Sequence, residues 1–234
     1  ARWGHCSIST VPTPRLPNTM LITRIETLPR RADRVRLHFS DGDTLDLYRL
    51  TVEEAGLRPG SFVDDLLLAR LRDRDQFEET LNRALGFLES RPRSEREVRT
   101  RLARKGTTPE LIDAVLERLR TAGLVDDAAF AQFWVENRER FNPRGTRALK
   151  AELRQKGLAT EIVDQLEEQV DESSGAREVA LRQARRLSRL DHQTFRQKLW
   201  AQLARRGFDY EVIGPAIEEA WQTVGGGETD REHD

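Results

Sequence analysis

Two kinds of hydrophobic periodicity divide the chain. From Leu21 to about Leu50 the period is two: Val35, Leu37 and Phe39 alternate with charged residues, Asp41-Gly42 supplies a turn, and Leu45 and Leu47 alternate again. This predicts a hairpin with a preceding strand over Leu21 to Leu28. Two or three strands are marginal alone in water, so they need a partner surface. Thr51 with Glu54 reads as a short capping box, Gly56 and Pro59-Gly60 break the chain, and Ser61 opens a helical stretch toward Arg74. Residues 20–75 are therefore expected to form a small β-plus-helix module.

Beyond residue 75 the period becomes helical, and the sequence repeats. Three segments align on their glycines: Leu102-Ala103-Arg104-Lys105-Gly106, Leu153-Arg154-Gln155-Lys156-Gly157 and Leu203-Ala204-Arg205-Arg206-Gly207, at spacings of 51 and 50 residues. Four residues before each leucine lies Val98, Leu149 or Leu199, so each pair shares one face of a short helix. The glycine then ends that helix, because the left-handed turn at a helix C-terminus favours a residue without a Cβ. The register continues with Glu110, Glu161 and Glu211, followed by Leu111-Ile112, Ile162-Val163 and Val212-Ile213, which open a further amphipathic helix. Thr108 with Pro109, Thr160 and Asp209 are placed to cap these helices. Upstream helices over about 76–90, 127–141 and 176–190 complete the units.

The fold expected is mainly α: three tandem three-helix, helix-turn-helix-like repeats over 76–125, 126–174 and 175–222, stacked in an elongated, curved array. Residues 1–19, with Pro12, Pro14 and Pro17, read as an unfolded leader. Met20, the sole methionine, directly precedes the first patterned segment and is a candidate natural start. Residues 223–234 read as a disordered acidic tail.

Composition narrows the chemistry. No window approaches the roughly 20 apolar residues of a membrane span, and the single cysteine, Cys6, has no partner for an internal disulfide. A soluble, cytoplasmic, monomeric protein is expected. His5, His38, His192 and His233 are scattered and fit no metal-ligand spacing. Gly225 to Gly227 lack the Lys and Ser or Thr of a phosphate-binding loop, and no serine or cysteine has a nucleophile motif around it. The expectation is binding rather than catalysis, with no cofactor and no metal.

The net charge of −1 hides a strong segregation. Residues 91–105 hold seven bases and two acids, 138–156 again seven and two, and 177–206 nine and two. Residues 158–172 hold six acids and no base, and 208–221 four acids and no base. A basic stripe repeated at the module spacing suits a nucleic-acid backbone or an acidic groove on a protein assembly, and arginine dominates it, as bidentate contacts favour. The candidate binding residues are Arg91, Arg93, Arg138, Arg144, Arg147, Lys150 and Arg154, clustered at helix starts and connections beside the Pro-Arg pairs. The competing reading pairs the same residues internally with the acidic helices, at little energetic gain per pair. Ser94 with Glu97 reads as a capping box, and Asp126 and Asp127 as caps of the next helix. Phe130, Phe133 and Trp134 read as core, with a base-stacking platform as the alternative.

Taken in order, Arg91-Pro92-Arg93-Ser94-Glu95-Arg96-Glu97-Val98, Leu102 to Gly106, Gly123-Leu124-Val125-Asp126-Asp127-Ala128-Ala129-Phe130-Ala131, Trp134-Val135-Glu136-Asn137-Arg138, Pro143-Arg144-Gly145 and Leu149 to Gly157 resemble the RecX family, regulators of the RecA recombinase. The resemblance covers roughly residues 20–222. It implies a non-enzymatic protein that binds RecA filaments on single-stranded DNA, lies in the filament's helical groove, and restrains recombination, filament growth and ATP hydrolysis in the control of DNA repair. The third repeat departs from the pattern, with Gln193-Thr194 where the first two have Pro92-Arg93 and Pro143-Arg144. An autonomous DNA-binding protein using its helix-turn-helix-like units is the alternative, and a passive scaffold a third reading.

Overall fold

A computed structural model of the chain describes residues 19–224, apart from Gln169 and the side chains of Glu167 and Glu168. The expected leader up to residue 18 and the expected tail beyond residue 224 lie outside the described residues. The chain forms two compact units that divide at residues 83 and 84.

In the first unit the period-two segments pair as an antiparallel sheet. Strands β1 (Met20–Leu28), β2 (Arg31–Phe39), β3 (Thr44–Tyr48) and β4 (Phe62–Val63) lie in the order β3-β2-β1-β4. The turn between β2 and β3 uses Gly42 at φ +95°, a conformation that a side chain resists. Ile22, Val35, Leu37, Phe39, Leu47 and Val63 from the sheet are buried with Val52 of α1 (Arg49–Glu54) and Leu71 of α2 (Asp65–Leu88). Arg34 on β2 donates to Asp75 on α2 at 3.2 Å, and the other Asp75 oxygen accepts the Tyr48 backbone N–H at 2.5 Å.

Two expectations for this unit need correction. Thr51 does not cap a helix: α1 begins at Arg49, Thr51 is buried within it, and Glu54 pairs with Arg74 at 2.9 Å instead. Nor does Ser61 open the next helix. Its Oγ accepts the Arg58 N–H in a turn before β4, while Asp64 starts α2 by accepting the Leu67 N–H at 2.7 Å. Helix α2 then continues through Arg74 to Leu88, so the stretch ending at Arg74 and the helix expected at 76–90 are one element. No proline falls within it, and its one glycine, Gly86, lies in the last turn.

In the second unit the end of α2 is followed by α3 (Glu95–Ala103) and α4 (Pro109–Thr121), then α5 (Asp127–Phe141), α6 (Thr146–Lys156) and α7 (Thr160–Asp164), then α8 (Glu172–Leu187), α9 (His192–Arg205) and α10 (Tyr210–Thr223). The middle helices α3, α6 and α9 each bury their apolar pair, Val98 with Leu102, Leu149 with Leu153 and Leu199 with Leu203, at 0–1% exposure. Gly106, Gly157 and Gly207 follow them at φ +79°, +88° and +84°. Full burial of such pairs contributes about 1.5–3 kcal/mol per side chain, which offsets the cost of ordering short helices.

The last helices are less uniform than the repeat predicts. Helix α7 has only five residues and passes into a 3₁₀ turn (Gln165–Glu168), in the stretch where six acids without a base put like charges three and four residues apart along the helix. Its N-cap is Ala159, not Thr160. Thr108 and Asp209 hold the N-cap positions of α4 and α10 without a side-chain bond to the helix. Helix α10 includes Thr223, which the sequence assigns to the tail.

Successive repeats are joined by one device, used twice. Each middle helix begins where the C-terminal end of the following repeat's middle helix arrives. At the N-cap of α3, Ser94 Oγ donates to the Lys156 carbonyl at 2.8 Å; at the N-cap of α6, the Gly145 N–H donates to the Arg206 carbonyl at 3.0 Å. One residue on, the Glu95 N–H donates to Asp127 at 2.8 Å and Thr146 Oγ1 donates to Glu172 at 3.1 Å, Asp127 and Glu172 being the first residues of α5 and α8. The fit is close. A Cβ on Gly145 would lie 2.1 Å from the Gly207 carbonyl oxygen, and one on Gly207 would lie 2.7 Å from the Ala148 nitrogen.

The third repeat lacks this socket. Twelve residues before the glycine stand Ser94, Gly145 and Phe195. Helix α9 starts about one turn earlier than α3 and α6, capped by Asp191 on the Thr194 N–H at 2.9 Å, and Phe195 is fully buried against Trp221. Gln193 and Thr194 therefore lie inside a helical turn, whereas Pro92-Arg93 and Pro143-Arg144 precede their helices.

Candidate interaction surface

The capping box at the start of α3 forms as expected, and it is also an electrostatic centre. Ser94 accepts the Glu97 N–H at 3.2 Å, and the Glu97 carboxylate accepts the Ser94 N–H at 3.3 Å. The same carboxylate takes Arg91 at 2.9 and 3.2 Å, and Lys156 of the next repeat at 2.8 Å. Burial works to raise the Glu97 carboxyl, but the bonds from Arg91 and Lys156 outweigh it and hold the group at about 2.

The other expected core and cap residues divide. Asp126 caps α5 by accepting from Ala128 and Ala129, whereas Asp127 serves α3 as described. Phe130 is buried at 1% exposure and Trp134 is half-buried, its indole N–H donating to Glu152 at 2.8 Å.

Most of the candidate cations are engaged within the chain. Arg91 is bound to Glu97. Arg138 donates to Glu152 at 2.8 Å and lies 4.7 Å from the centre of the Trp134 ring. Arg144 is 3.8 Å from the same Glu152, and the buried Nε of Arg144 makes no hydrogen bond. Lys150 and Arg154 both approach Asp164, at 3.7 and 3.4 Å. Arg147 is exposed and donates to the Ala204 carbonyl at 3.1 Å. Among the described residues Arg93 forms no ion pair; it stacks 4.1 Å from the Phe87 ring centre and donates to Ser90. Burial, then the nearby charge of Arg91, lowers the Arg93 guanidinium from its usual value.

Beside Arg93 lies a basic cleft of about 480 Å³ between α3 and α6. It is lined by Phe87, Arg96, Glu97, Thr100, Arg101, Arg104, Gln155 and Lys156. Arg96 lays its stem along Gly157, where a Cβ would come within 2.1 Å of it, and Arg101 lies 5.5 Å from the Phe87 ring. Among the described residues Arg96, Arg101 and Arg104 form no ion pair, and all three are exposed. The one carboxylate in the cleft, Glu97, is already held by Arg91 and Lys156. The cleft thus offers donors and positive charge to a phosphate or carboxylate without first having to break a pair. None of these three arginines was among the candidate residues. Their signal is the helical stripe Arg96-Thr100-Arg104, with Arg101 beside it, on the face of α3 away from Val98 and Leu102.

Among the described residues no group of three or more His, Cys, Asp or Glu side chains is placed to hold a metal ion, and no helix is long and apolar enough to cross a membrane.

Comparison with known proteins matches this arrangement in order. Residues 81–119 match the first three-helix domain of RecX, 126–166 the second and 171–217 the third. A regulatory protein RecX from Prosthecochloris aestuarii is 38% identical over 139 residues, covering 59% of this chain and 91% of that protein. Another, from Halalkalibacterium halodurans, is 32% identical over 215 residues, covering 87% of this chain and 78% of that protein. A crystal structure of regulatory protein RecX superposes with a TM-score of 0.69 at 25% identity, over 86% of this chain and 99% of that one. With three domains matched in sequence order and a relative aligned over most of its length, this chain belongs to the RecX family.

Proposed function

We propose that the chain is a non-enzymatic regulator that binds RecA filaments on single-stranded DNA and restrains RecA recombination and ATP hydrolysis, in the control of DNA repair. The observation that carries this reading is the ordered match of all three RecX three-helix domains across residues 81–217. The cleft of Arg96, Arg101 and Arg104 supports it, since uncommitted arginines are what a surface needs to grip an acidic filament or its nucleic acid. Autonomous duplex recognition in the helix-turn-helix manner is less well supported. The third helices that would enter a major groove include α7 and α10, which carry Glu161 and Asp164, and Glu211, Glu218 and Glu219, with no base.

The test is ATP hydrolysis by RecA on single-stranded DNA while this protein is titrated in. Hydrolysis should fall at substoichiometric to stoichiometric ratios. Unchanged hydrolysis well beyond equimolar protein would reject the reading, and tight, sequence-selective duplex binding without RecA would favour the alternative.

A further inference from the structure

The third repeat keeps an aromatic pair on its surface. Helix α9 carries Gln193, Arg196, Gln197 and Trp200 at helical spacing on one face, and Tyr210 at the start of α10 closes the group. The five residues line a recess of about 380 Å³ with no acidic side chain in its wall. The Tyr210 ring meets that of Trp200 edge-on, with centroids 5.0 Å apart and an interplanar angle of 69°. Tyr210 is 77% exposed, more than any other large hydrophobic side chain among the described residues.

The polar ends of this group are unspent. Among the described residues the indole N–H of Trp200, the Tyr210 hydroxyl, both glutamine amides and the Arg196 guanidinium bond to nothing else in the chain. Trp134 differs in this respect, its N–H being bound to Glu152. The recess therefore combines π-faces, two carboxamides that each donate and accept, and a cation. It lies in the repeat with the largest basic excess, nine bases to two acids over 177–206. A proline-rich peptide would use the rings but neither the cation nor both amides. A base uses a ring face and its polar edge, and its strand supplies the phosphate.

We propose that the Trp200–Tyr210 platform holds one unpaired base of a single-stranded nucleic acid, with Gln193 and Gln197 bonding the base edge and Arg196 a phosphate of the same strand. This site needs no recombinase, so its test is separate from that of filament binding.

The experiment measures fluorescence anisotropy of a labelled oligothymidylate and of an abasic strand of equal length, with this protein alone. The intact chain should bind the thymidylate about tenfold more tightly than the abasic strand, as one stacked base implies. Tyr210→Ala and Trp200→Ala should each shrink that ratio toward one while leaving abasic binding unchanged, and Trp200→Phe should retain much of it. Arg196→Ala should weaken both strands alike and flatten the salt dependence. Should Trp200→Ala fail to fold, the exposed Tyr210→Ala carries the test. Equal binding of the two strands by the intact chain, or an unchanged ratio in Tyr210→Ala, overturns the proposal. So does capture of a proline-rich peptide by an intact chain that shows no base preference.

Discussion

Lys156, the last residue of α6, bonds Glu97, in the first turn of α3, at 2.8 Å across 59 positions of sequence. The contact couples two repeats at a point where the same carboxylate also closes a capping box and takes Arg91. One side chain thus fixes the start of a helix and the seam beside it.

Glu97→Gln keeps a residue able to complete the capping box but removes the charge, so its cost isolates the ion pairs. We expect a loss of about 2 kcal/mol, the scale of hydrogen bonds to a charged group. The pH dependence has a definite sign. The folded state holds Glu97 at about 2, below its usual 4.5, so its contribution is complete above pH 4.5 and fades as pH falls toward 2. Urea unfolding of the two proteins across that window should show their stabilities converging at the acid end.

The joint between the second and third repeats can be tested against an internal control. Gly106 and Gly207 share a left-handed φ, but a Cβ on Gly106 meets nothing within 4 Å, whereas one on Gly207 strikes Ala148. Gly106→Ala should cost about 1 kcal/mol from backbone strain alone. Gly207→Ala should cost about 1–3 kcal/mol more from overpacking. Equal unfolding midpoints for the two variants would mean the third repeat does not press on α6.

Charge reversals should separate binding from stability. Arg101→Glu with Arg104→Glu alters exposed side chains that form no ion pair, so helical content should persist while filament binding weakens at least tenfold. Arg144→Glu would instead set a carboxylate beside Glu152, and should lower the melting temperature as well as binding. Circular dichroism alongside a filament co-sedimentation assay distinguishes the two outcomes.

In the first unit, Asp75→Ala leaves the Tyr48 N–H without its acceptor and the Arg34 guanidinium with only the longer contact to Glu79, at 3.5 Å. Arg34 and Asp75 are each only 9% exposed, so breaking the pair should cost about 3–5 kcal/mol. Tryptic digestion should then cut within residues 20–75 well before the three-helix repeats.

The repeat was readable because its signals are local. Val98 and Leu102, or Leu149 and Leu153, need only four-residue spacing and a glycine to declare a helix and its end. The hairpin was readable for the same reason, through Val35, Leu37 and Phe39. What lies outside such reach was missed. Asp127 looks like a cap for its own helix and serves α3 instead, because a carboxylate one residue past an N-cap points away from that helix's first amides. The arginines show the same limit. Arg138 and Arg144 stand out by charge and position, yet their guanidiniums are directed by Glu152 on the neighbouring helix. Arg101 and Arg104, which look like ordinary surface, form no ion pair among the described residues.

Phe195 gives the series of repeats a direction and a stop. The end of one middle helix is received by the Ser94 hydroxyl or the Gly145 N–H, and at the matching place in the third repeat stands Phe195, whose ring is buried in its own core against Trp221 and whose N–H is spent on the Asp191 carbonyl. Copying the last unit onto the end of the chain would present the newcomer with a closed door. Copying the middle unit would give it a matching neighbour on both sides. A unit copied after the third repeat would therefore meet neither the hydroxyl nor the free amide that seats the two earlier joints, so that one phenylalanine marks where this way of joining repeats ends.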